Sequence, residues 1–264
     1  MLLRHVVPVL LAATVFAVPA HAQEEARREP FRTRVTLGPQ LVPGHPGSDE
    51  LSLRPFVDVA RARGDNEFEF EAPDESAGFT VLRTSGLAIG PAIGFEGKRD
   101  ADAVGAPIHK VGFSVEAGAF VQGWIGDALR IRVEGRKGLS GHRGWTGAVS
   151  ADYVARRGDD WLFSIGPRVT WSDDTYQDAW FSIDPADAVP SGLPAFDADG
   201  GIHAYGATAS AITQFSARWG LSAYAKYDRL TGDAADSPIV LTYGSRDQFS
   251  FGAALTYTFG HGFD

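Results

Sequence analysis

The sequence predicts an all-β, antiparallel barrel of the outer-membrane type. Three observations carry this expectation. Period-two alternation recurs in segments of ten or more residues, longer than most strands of soluble domains. Glycine is abundant (31 residues) and aromatic residues make up 11% of the chain, a profile suited to many strands joined by tight turns. The first 22 residues have the pattern of an export signal.

That signal defines the two regions of the chain. Arg4 precedes an apolar stretch over residues 6–18, and Ala20-His21-Ala22 is a small-x-small cleavage site. Residues 1–22 are therefore expected to be removed, leaving a barrel over 23–264; the apolar stretch is short for a bilayer span. The signal holds one arginine and no acid, so its loss takes the formal net charge from −9 to −10. Such a chain is not expected to bind nucleic acid. The absence of cysteine excludes a disulfide framework and thiol catalysis. After residue 22 no run of 18 apolar residues predicts a transmembrane helix.

The strands follow from the alternation. In 248–259, Phe249, Phe251, Ala253, Leu255, Tyr257 and Phe259 share one face, with Ser250, Gly252, Ala254, Thr256 and Thr258 on the other. In 161–171, Trp161, Phe163, Ile165, Val169 and Trp171 oppose Ser164, Gly166, Arg168 and Thr170. At about 3.3 Å per residue and a tilt of about 40°, the two tryptophans lie roughly 25 Å apart along the barrel axis, the height of an outer-membrane apolar band. The segments 111–121, 129–136, 145–155 and 221–228 alternate in the same way.

Loop parity sets the strand number, because such barrels begin and end in the periplasm, with short inner turns and long outer loops. Outer loops are expected at 43–49, 98–110, 173–200 and 230–245, and inner turns at 123–126, 157–159 and 215–217. Parity then requires an outward and an inward strand between 65 and 85, for which residues 67–71 and 79–84 are the candidates. The total is twelve, or ten without this hairpin.

Several short segments together resemble the MltA-interacting protein (MipA)/OmpV family. They are Pro46-Gly47-Ser48-Asp49, Gly90-Pro91 with Lys98-Arg99-Asp100, Gly141-His142-Arg143-Gly144, and Gly166-Pro167-Arg168 leading to Tyr176 and Phe181. The block 230–240, which contains Gly232, Asp233, Asp236, Ser237 and Pro238, precedes the closing Leu255-Thr256-Tyr257-Thr258-Phe259. The resemblance implies an outer-membrane barrel in contact with lipid. It also implies a scaffold that brings a murein hydrolase together with a murein synthase. Other members look like adhesion or permeability proteins, so a small-solute channel and an adhesin are the alternatives.

Alternation places Arg130, Arg132, Glu134, Arg136, Asp152, Arg168, Lys226 and Asp228, with Glu116, on the lumen side. These charges predict a paired network that fills a narrow lumen; a charged pore is the rival reading. No catalytic residues or cofactor are expected. The histidines of the mature chain have no fixed serine partner, and no nucleophile-elbow pattern occurs. No two histidines are four apart, so no metal motif is present, and Asp173, Asp174, Asp178, Asp184, Asp187, Asp197 and Asp199 read as solvated loop carboxylates. The Asp236-Ser237-Pro238 turn either folds its loop back into the barrel mouth or presents a recognition surface.

Overall fold

A computed structural model describes residues 30–260 of the protein; the expected signal segment lies outside them. The strands are β1 (Phe31–Pro43), β2 (Leu51–Arg63), β3 (Ala77–Gly78), β4 (Leu82–Thr84), β5 (Leu87–Glu96) and β6 (Ser114–Ile125), followed by β7 (Leu129–Gly138), β8 (Trp145–Arg157), β9 (Trp161–Ser172), β10 (Gly201–Gln214), β11 (Trp219–Leu230) and β12 (Asp247–Phe259). They form one antiparallel, curled sheet in the order β2-β1-β12-β11-β10-β9-β8-β7-β6-β5-β3, with β4 also on β5. Every neighbour from β5 to β12 is sequential, and β1 pairs with β12, so Thr33 faces Phe259 and Leu41 faces Phe251. No helix among the described residues is long and apolar enough to cross a membrane.

The alternation has the expected physical result. Leu37, Leu53, Val57, Val133, Ile165 and Leu255 are exposed on the outer face, while Thr36, Arg130, Arg132, Ser164 and Thr256 are buried inside. A polar interior with an apolar exterior is the reverse of a soluble sandwich. Aromatic side chains gather at the strand ends: Trp219 packs on Tyr257 and Tyr257 on Phe259 at the inner rim, and Trp145 and Trp171 lie exposed at the outer rim.

The stretch 65–85 departs from the expected hairpin. Residues 67–71 form no strand. Instead the segment 67–76 runs through the lumen, with Phe68, Phe70 and Ala72 buried against the wall. Phe70 and Ala72 pack on Val154, Leu162 and Ile212. The returning limb pairs with β5 in two pieces: Ala77 opposite Ile93, then Leu82 opposite Ile89. β3 and β4 thus share one flank of β5 as a single interrupted strand. The sequence pattern is ambiguous here because Glu67-Phe68-Glu69-Phe70-Glu71 alternates equally well in a wall and along a lumen. Lumen arginines decide the outcome by stacking on the phenyl rings, Arg34 over Phe68 and Arg130 over Phe70, both at 4.5 Å.

No ladder among the described residues joins β2 to β3 or β4, so the sheet has two free edges. They face each other at the outer end, where the Arg54 guanidinium of β2 lies against Gly97, one residue past β5.

The long outer connections contain helices where the sequence reading has only loops. These are α1 (Asp174–Phe181), α2 (Pro185–Ser191), α3 (Gly232–Asp236) and α4 (Pro238–Tyr243). Asp173 caps α1 by accepting the Tyr176 N–H at 3.0 Å. Proline opens α2 and left-handed Gly192 closes it. Trp180 and Phe181 of α1 cluster with Ala234, Ala235 and Val240 of α3 and α4 to form a small core over the barrel mouth.

Inward-facing glycines let neighbouring strands curl closely. A Cβ on Gly166 would meet the Ala151 carbonyl and lie 2.8 Å from the Asp152 Cα, whereas one on Gly135 would meet nothing. Gly166→Val is expected to cost about 1–3 kcal/mol through backbone overpacking, reducing the heat-modifiable fraction on a gel after refolding. Gly135→Val should leave that fraction unchanged.

Candidate functional site

The charged lumen side chains expected from the sequence come from β6, β7, β8, β9 and β11, each at the inward phase of its strand. Asp152 is fully buried and bridges two arginines, Arg130 at 2.9 Å and Arg168 at 2.8 Å. Arg132 pairs with Glu134, Glu134 with Arg136, and Arg136 with Glu116 at 2.7 Å. Lys226 pairs with Asp228 at 2.9 Å. These are three groups, and the sequence-predicted residues alone do not join them.

Two residues of the lumen segment make the connection, and sequence reasoning missed both. Asp74 accepts from Arg168 at 2.9 and 3.1 Å and from Thr208 at 2.8 Å, and lies 3.4 Å from Lys226. Glu75 pairs with Arg130 and reaches Arg132 at 4.0 Å. One chain of alternating charge therefore crosses the lumen from Lys226 to Glu116, with the tip of the lumen segment at its centre. Further down, Arg156 donates to the Phe68 carbonyl at 2.9 Å, and Asp159 accepts the Phe68 N–H at 3.1 Å. The only sequence signal for this role was Pro73-Asp74, which reads as a turn.

Above the tip lies a cavity of about 420 Å³, lined by Asp74, Lys226, Glu96, Glu116, Arg136, Tyr176 and His203 among others. Segments distant in the sequence meet here. Tyr176 of α1 donates to Glu96 at 3.0 Å, and His142 lies 2.8 Å from Glu116. Burial, and then the nearby Glu96, raise the Tyr176 pKa well above its ordinary value, so the phenol stays a donor. Glu96, Glu116 and His142 are close enough together to suggest a metal site. The ring geometry opposes it. His142 Nδ1 accepts the Gly144 N–H at 3.0 Å, so Nε2 carries the proton and donates to Glu116. Among the described residues, the hydrogen bonds of this ring go to Glu116 and to the Gly144 N–H.

The two motif loops zip together over the mouth. Ser48 forms an isolated bridge with Gly244, and the Gly47 carbonyl accepts the Ser245 N–H at 2.9 Å. Gln248 accepts from the Gly47 N–H and donates to the Ser48 carbonyl. Gly47 needs its left-handed φ of 83°, and a Cβ there would lie 2.7 Å from Val240. Asp49 is exposed and takes no part. In the second loop, Gly232 is left-handed at φ 58°, Asp233 accepts the Asp199 N–H, and Asp236 pairs with Arg246. Ser237 is fully buried and donates to the Phe181 carbonyl at 2.6 Å, while Pro238 opens α4. The Asp236-Ser237-Pro238 turn thus folds its loop inward over the barrel.

Removing Asp152 should take one of two carboxylate partners from each of two buried guanidinium groups, leaving Glu75 to Arg130 and Asp74 to Arg168. Asp152→Ala is expected to cost about 1–3 kcal/mol, read as a lowered urea midpoint, while Asp178→Ala on the exposed side of α1 should not shift it. His45 stacks on Trp180 under the cap, and burial holds its pKa below the ordinary 6.5. The folded cap favours the neutral ring, so the unfolded state binds the proton more readily and cap stability falls as pH drops below 6.5. Amide exchange in α1 should accelerate on that acidification, and less so in His45→Phe.

A family model described as MltA-interacting protein MipA matches residues 35–259. No curated protein matches the chain. Among solved structures, an outer membrane channel from Pseudomonas putida F1 is 12% identical with a TM-score of 0.41, over 87% of this chain and 94% of that one. OmpT of Vibrio cholerae is 8% identical with a TM-score of 0.37, over 87% and 97%. The channel DcaP of Acinetobacter baumannii is 8% identical with a TM-score of 0.37, over 88% and 96%. Likeness at this level says nothing about activity. The family match spans nearly the whole wall, from β1 to β12, and the chain belongs to the MltA-interacting protein (MipA) family of outer-membrane β-barrels.

Proposed function

We propose that the protein is a non-enzymatic outer-membrane scaffold linked to the murein machinery, with a murein hydrolase and a murein synthase as its partners. The observation that carries the non-transporting part of this reading is the filled lumen. The segment 67–76 is held by ion pairs to opposite walls, and the helices α1, α3 and α4 cover the mouth. The family match supports the choice of partner. Affinity capture of the tagged protein from detergent-solubilised envelopes tests it. Co-purification of a murein hydrolase is the expected outcome, and its absence after in-membrane crosslinking would remove the scaffold role.

A channel is the second reading, favoured by one observation. A cavity of about 370 Å³ near the inner rim, lined by Glu67, Glu69, Arg83 and Arg156, lies at the opposite end of the lumen segment from the 420 Å³ mouth cavity. The ion pairs at Asp74 and Glu75 hold the partition between them. The scaffold reading expects negligible single-channel conductance from the wild type in planar bilayers. The double variant Asp74→Asn, Glu75→Gln loosens the partition and is expected to raise conductance severalfold. A wild type that already conducts steadily would favour the channel.

A further inference from the structure

The outer loops bring together a second histidine–carboxylate group, away from the lumen. His109 lies in the connection between β5 and β6, and Asp184 and Asp187 lie at the start of α2. One ligand atom from each residue falls within a common span of 4.8 Å. The backbone supports the arrangement, because the His109 N–H donates to Asp187 Oδ2 at 2.9 Å.

The imidazole here meets the test that His142 fails. His109 Nε2 lies 2.9 Å from the Ala179 carbonyl, which can only accept, so Nε2 carries the proton. Nδ1 is buried, has no hydrogen-bond partner, and sits 3.7 Å from Asp187 Oδ2. That separation is too long for a hydrogen bond. Ligand atoms at about 2.1 Å around a tetrahedral ion are roughly 3.4 Å apart, so a small movement of exposed Asp184 and half-buried Asp187 would complete three corners. The nearby cation, Arg99, approaches the ring at Nε2, 3.3 Å away and on the other nitrogen from Nδ1, while its guanidinium donates to the carbonyls of Trp180, Ala179 and His109. The two aspartates offset a divalent charge.

We infer that His109, Asp184 and Asp187 form a binding site for a divalent first-row transition ion, which pins the 97–113 connection to the 173–200 connection on the outer surface. Zinc is the probe, since it takes imidazole nitrogen and carboxylate oxygen together. The histidine and the aspartates are more than 70 positions apart in the chain, so no sequence motif announces the site.

The test is calorimetric titration of Zn²⁺ into tag-free, full-length protein in detergent micelles at neutral pH. One zinc per chain is expected. His109→Ala and Asp184→Asn should each weaken binding by about tenfold or more, with heat-modifiable gel mobility confirming that both variants are folded. Glu116→Gln, in the mouth group, should bind as the wild type does. Absence of binding to the wild type, or affinity unchanged in both His109→Ala and Asp184→Asn, overturns the inference. Loss of binding in Glu116→Gln alone would do so as well, by placing the ion at the mouth.

Discussion

The pairing of Asp74 and Glu75 with Arg168, Lys226 and Arg130 holds a segment of chain across the interior of this barrel, and the rest of the interior is arranged around it. Each of those cations sits on a different wall strand, so a single turn of chain ties β7, β9 and β11 together. Desolvated charges need partners, and in a narrow interior the partners must come from within. The cap follows from the same demand at the outer end. Its helices bury Trp180, Phe181 and Val240, apolar residues that could not remain in an aqueous mouth.

Much of this arrangement is legible from residue alternation. The phase of Arg130, Arg132 and Glu134 against Ile131 and Val133 assigns inside and outside without further information, because a strand has only two faces. The tryptophans at the two ends of β9 mark its height in the same way. The lumen segment was not legible, because its glutamate–phenylalanine alternation suits two environments and only distant arginines choose between them. The outer helices were also hidden. They are five to eight residues long and are held by contacts with each other rather than by an amphipathic repeat.

The motif segments show a related limit. As sequence they are scattered glycines, prolines and charges, each common in turns. In space, Gly47-Ser48, His142, Tyr176 and Ser237 surround or cover one opening. What unites them is loop closure over a mouth, a property of tertiary geometry. The charge chain beneath depends on Asp74 and Glu75, which no local pattern distinguishes from ordinary turn acids.

The free edges of β2 and β3 have a topological consequence. Because β1 pairs with β12, the wall is unbroken where the chain begins and ends, and its break lies between β2 and β3 instead. Read along the sheet, the strands run from β3 through β12 to β1 and β2, as an ordinary meander whose start has been rotated by two strands. Joining the natural ends and reopening the chain within 64–76 would therefore give a circularly permuted barrel in which every strand ladder is retained and the seam coincides with the new termini.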